Sequence, residues 1–146
     1  MIKYISTRDI KAETKSFEDV LLAGLAPDGG LYVPDQWPEL TAEDLQNLAG
    51  ASYSEVALRV MKPFVGDCIA EKKLFEIIEQ TYASEVFTHK SVTPLVQYSA
   101  NIWLMEHFHG PTLAFKDVAL QLLGRLFDHV LEKKNKRVTI VGATSG

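Results

Sequence analysis

A chain of 146 residues with 47% hydrophobic and 23% charged side chains can enclose a core and has an ordinary globular composition. A net charge of −4 gives no reason to expect a nucleic-acid partner, and no window approaches the apolar length of a membrane span. The first fifteen residues lack the apolar stretch of a secretory signal, and a single cysteine, Cys68, excludes an intrachain disulfide and a CxxC metal motif; a cytoplasmic location is the default expectation.

In chain order, Lys3 to Thr7 predicts a short strand with Ile5 available for burial. Phe17, Val20, Leu21 and Leu22 follow helical spacing, so Ser16 is the expected cap of a short helix ending at Gly24. Pro27-Asp28-Gly29-Gly30 is a turn, because proline presets φ and glycine accepts positive φ; a brief strand, Leu31 to Val33, then stops at Pro34. Thr41 and Asp44 form an approximate capping box. Ser54 is the expected start of the next helix, which Pro63 should bend or end. Leu74, Ile77, Ile78 and Tyr82 predict a third helix from Ala70 to Tyr82. Residues 1–90 thus read as a mostly helical domain whose apolar stripes are core.

The character changes after His89. Val92 to Tyr98 and Ile102 to Phe108 read as the two strands of a hairpin. A turn at Gly110-Pro111 leads to an expected helix from about Leu113 to Lys133, capped by Thr112, whose wide apolar band suits packing on a sheet. Arg137 to Val141 is β-branched and uninterrupted, as in a buried parallel strand. Strand, helix, strand is a βαβ unit, so the fold class is α/β, and residues 91–146 read as the start of a second domain cut short at Gly146. The basic run Lys133, Lys134, Lys136 and Arg137 reads as a solvated helix end.

Among candidate sites, His107 and His109 would share a strand face, but a metal needs three or four ligands and none of the known motifs is present. Glu106 beside His107 would face the opposite way on a strand. There is no GxSxG nucleophile motif. Lys116 stands out. An ammonium at a helix N-terminus meets the dipole unfavourably, and Phe115 beside it suggests limited water; both favour the uncharged amine that forms imines. The plain alternative is a solvated lysine in a first turn. Gly142 to Gly146 ends a strand as an anion-cradling loop does, without the GK[ST] ending of a nucleotide loop. An imine-forming lysine beside an anion loop is the constellation of pyridoxal phosphate chemistry.

The motifs themselves carry a resemblance. HGPTLAFKDVALQ resembles the pyridoxal-lysine segment of threonine synthases of the bacterial and fungal branch, GLAPDGGLYVP resembles their N-terminal signature, and GATSG resembles the start of their GATSGDTG loop. Asp9 departs from the family's usual glycine in a surface turn. The resemblance implies the N-terminal part of a fold-type-II enzyme, similar to the tryptophan synthase β subunit. It would convert O-phospho-L-homoserine and water to L-threonine and phosphate. It further implies pyridoxal 5'-phosphate held on Lys116 as an internal aldimine, Lys116 as the base that moves the α- and β-protons, and substrate contacts from Thr144, Ser145 and Gly146. The expected partner is the small-molecule substrate, with no metal, no nucleic acid and no membrane, and a monomer is favoured for the full-length enzyme. Two other readings stay open: a pyridoxal-dependent phospholyase or dehydratase, against which AFKD in place of SFKxR argues, and a folded but inactive piece.

Overall fold

The computed structural model describes residues 1–8 and 13–142. The chain runs β1 (Tyr4–Ser6), α1 (Phe17–Ala23), β2 (Tyr32–Pro34), α2 (Ala42–Asn47), α3 (Tyr53–Val65), a 3-10 turn (Gly66–Cys68), α4 (Glu71–Thr81), β3 (Leu95–Ser99), β4 (Ile102–Met105) and α5 (Asp117–Lys133). The described strands form two antiparallel pairs, β1 with β2 and β3 with β4. Ile5 lies opposite Val33 in the first. The buried face of β1 is Tyr4 and Ser6, not Ile5, because the Tyr4 hydroxyl reaches across to donate to the Phe64 carbonyl at 2.8 Å.

Capping sets the helix starts. Ser16 accepts from the Asp19 N–H, and the chain leaves α1 at Gly24 with φ of 71°, where a side chain would be strained. Thr41 and Asp44 form the expected reciprocal box. The start expected at Ser54 moves to Ser52, which forms an equivalent box with Glu55. Pro63 falls within the last turn of α3, where its missing N–H removes the bond to the Arg59 carbonyl, and the helix ends two residues later at Val65.

The core lies where α3, α4 and α5 meet. Val65, Ile69, Leu74, Ile77, Ile78, Leu122 and Leu126 form one buried cluster, with Phe17, Leu21, Met61 and Tyr82 packed around it. The helix expected to lie on a sheet therefore buries its Leu122, Leu126 and Val130 stripe among helices. Its Leu120 and Leu123 positions stay exposed. The basic run is only partly solvated: Lys133 Nζ donates to Glu18 and to the Cys68 carbonyl, and Lys134 Nζ to Asp19 at 3.2 Å, tying the end of α5 to α1.

Residues 137–141 do not form the expected strand. A strand exists only through ladder hydrogen bonds to a neighbour, and no described segment lies beside them; Ile140 is 82% and Val141 89% exposed. The hairpin β3–β4 forms over a shorter span than expected, Val92 with φ of 57° lying outside it; Leu95 stands opposite Met105 and Gln97 opposite Trp103, and both of its faces are open.

Candidate functional site: the lysine-bearing turn

The helix expected from Leu113 begins only at Asp117, and Lys116 occupies the residue before it. The cause is Leu113, whose φ of 60° lies outside the helical region and breaks the run. Between them the chain makes tight turns, Leu113 N–H donating to the Gly110 carbonyl at 3.2 Å and Asp117 N–H to the Ala114 carbonyl at 3.0 Å. The Lys116 carbonyl then accepts from the Ala119 and Leu120 N–H groups at 3.1 and 2.8 Å, which anchors it as the first acceptor of α5.

Thr112 is not a helix cap. Its hydroxyl donates to Asp117 Oδ1 at 2.9 Å, and its N–H donates to Asp117 Oδ2 at 2.8 Å. The carboxylate reaches back from the helix and closes the turn. Gly110 makes the space: a Cβ there would stand 2.5 Å from Asp117 Cβ and 2.6 Å from Oδ2.

The turn is also held from its other side. Thr88 N–H donates to the His109 carbonyl at 3.0 Å, and His109 Nε2 lies 2.7 Å from Glu106 Oε2. The His89 ring stacks obliquely on His109 with centroids 5.2 Å apart. The strand β4 stops at Met105, so the alternation expected for residues 106–109 lapses. Glu106 meets His109, not its neighbour His107, and the two histidines make no pair. Sequence alternation hid this contact; the signal available was the i, i+3 spacing of Glu106 and His109 next to a glycine-proline turn. Among the described residues no three of His, Cys, Asp and Glu converge as metal ligands.

Lys116 is exposed, and its neighbours Phe115 and Leu113 are 66% and 72% exposed. The low-water surroundings expected from Phe115 are not formed by the described residues. The donor set fits covalent attachment of an aldehyde cofactor: a primary amine on a rigid turn, flanked by apolar groups able to lie against a ring. Thr144, Ser145 and Gly146, expected at the substrate, lie outside the described residues, as does Asp9.

Comparisons with known proteins place the fold. The PLP-bound threonine synthase from Brucella melitensis superposes with a TM-score of 0.94 at 52% identity, covering 100% of this chain and 31% of that one. The threonine synthase from yeast does so with a TM-score of 0.83 at 38% identity, covering 91% and 27%. The fold is that of the N-terminal part of fold-type-II pyridoxal enzymes. In sequence, the threonine synthase of Pseudomonas aeruginosa is 57% identical over 145 residues, covering 99% of this chain and 30% of the relative. The family model for the threonine synthase N terminus matches residues 3–82. The chain belongs to the threonine synthase family, and it spans about 30% of the length of the curated relatives it matches.

Proposed function

We propose that this chain supplies the lysine-bearing N-terminal portion of a threonine synthase, which converts O-phospho-L-homoserine and water to L-threonine and phosphate. The observation that carries the reading is Lys116, an exposed amine on a turn fixed at both ends, in a chain of this family. Pyridoxal 5'-phosphate, when bound, supplies an electron sink for carbanions next to the amine it holds. Lys116 Nζ would hold the cofactor and, when released from it, accept and return protons at the substrate's α- and β-carbons. Thr144, Ser145 and Gly146 would bind an anionic group of the substrate through hydroxyls and backbone N–H groups. The hairpin and the outer face of α5 open the cofactor domain at residue 91, residues 1–90 forming the helical domain. A cytoplasmic monomer is the form we expect for the full-length protein.

The test uses the full-length protein with O-phosphohomoserine. Threonine and phosphate formed in equal amounts, and lost in Lys116→Ala, support the reading. Phosphate released with a keto acid in place of threonine would move the assignment to a phospholyase on the same scaffold. The 146-residue chain alone, about 30% of the length of the relatives it matches, should release no phosphate, because a site without its full supporting shell is not held in productive geometry.

A further inference from the structure

Asp117 is the one aspartate or glutamate that is buried among the described residues, at 4% exposure. A buried carboxylate is costly unless hydrogen bonds replace its water, and here both oxygens are engaged by a single residue, Thr112, five positions earlier. No cation is bonded to it among the described residues, so the arrangement is a clasp closed on its own chain and not an ion pair. What the clasp encloses is the segment Leu113 to Lys116, including the positive φ at Leu113, a backbone state that is unfavourable for leucine and persists only where surrounding bonds enforce it. Gly110 leaves the carboxylate room, and any side chain there would drive it out.

We propose that Asp117 is a positioning residue for the Lys116 amine: its clasp on Thr112, seated against Gly110, sets the backbone from which the lysine reaches the cofactor. This rests on the reading of Lys116 as the pyridoxal-bearing residue. A lysine side chain has four torsions and can be aimed only as well as its Cα is held. Lys116 lies inside the clasp and its carbonyl takes the first hydrogen bonds of α5, so loosening the clasp turns the amine relative to a ring fixed by the rest of the site. A displacement of about 1 Å at a reacting group costs on the order of a hundredfold in rate.

The experiment uses the full-length holoenzyme and reads cofactor attachment apart from turnover: pyridoxal trapped on the protein by borohydride, the dissociation constant for the cofactor, and kcat and KM separately. Asp117→Ala should remain folded by circular dichroism, lose about tenfold to a hundredfold in kcat with KM little changed, and trap pyridoxal more slowly. Asp117→Asn should recover most of both, because its carbonyl accepts the Thr112 N–H while the Thr112 hydroxyl turns to accept from the new amide. Gly110→Ala, which leaves the carboxylate but removes its seat, should match Asp117→Ala. If Asp117→Ala does not fold, Thr112→Val removes one of the two bonds and should give a smaller loss of the same kind. Wild-type trapping and kcat in Asp117→Ala or, failing that, in Thr112→Val, with only a lowered melting temperature, would overturn the proposal. Undiminished trapping in Lys116→Ala is a separate outcome: it removes the lysine reading and the positioning role together.

Discussion

The Tyr82 hydroxyl at the end of α4 donates to the Val118 carbonyl in the first turn of α5, 2.9 Å away. The ring is held edge-on by Tyr53, with centroids 4.8 Å apart, and burial pushes the Tyr82 phenol well above its ordinary pKa. The bond ties the helix that follows Lys116 to the helical core. Tyr82→Phe keeps the ring and deletes the donor, so it should cost about 1 kcal/mol. The urea midpoint checks this; an unshifted midpoint would mean the bond has no net value.

Tyr4 gives a pH dependence. Burial, and secondarily the charge of Cys68, push its phenol from 10.0 to about 12, and the hydroxyl donates to the Phe64 carbonyl. The unfolded chain ionises first. The stabilising contribution is therefore complete below pH 10 and is lost as the pH rises toward 12. In Tyr4→Phe, stability should fall less steeply over that window. Parallel slopes for the two proteins, followed by circular dichroism, would rule the contribution out.

Ile78 and Leu120 separate core from surface. Ile78 is fully buried, and Ile78→Ala should destabilise by about 2–5 kcal/mol through lost burial and the cavity left behind. Leu120 is 53% exposed, and Leu120→Ala should change stability by less than about 0.5 kcal/mol. Equal effects in denaturant titrations would contradict the position of the core.

Leu113 tests the strain in the turn. Its side chain is 72% exposed, so a substitution there acts mainly through the backbone. Val should cost about 1–2 kcal/mol more than Gly, because a β-branched residue at positive φ is the harder to hold. A Val variant as stable as the Gly variant, by thermal melting, would show that the φ relaxes.

The local elements were legible in the sequence to the extent that their causes are local. Ser16, Thr41 and the stripe of α4 signal themselves through caps and a repeat that the neighbouring residues complete. Long-range causes were not legible. The start of α5 depends on Asp117 reaching back to Thr112 and on the unusual φ of Leu113, neither of which a propensity encodes. Periodicity gave α5 a broad apolar band but could not tell a helical neighbour from a sheet. The β-branched run at 137–141 specifies a strand only in company, and its company is not among the described residues. Lys116 stands out by its place beside a helix start, whereas strand alternation over residues 106–109 masks the Glu106–His109 contact that precedes the turn.

The open hairpin makes an optical reporter of one of the chain's two tryptophans. Trp37, 70% exposed, lies edge-on to Phe64 of α3 with ring centroids 6.2 Å apart, and Trp103 lies on β4 at 55% exposure between Ile102 and Leu104, both at least half exposed. With Trp37 replaced by Phe, all indole emission comes from the hairpin. Its wavelength then registers whether water or protein lies against that sheet, and a shift to the blue times the moment at which the hairpin acquires a neighbour.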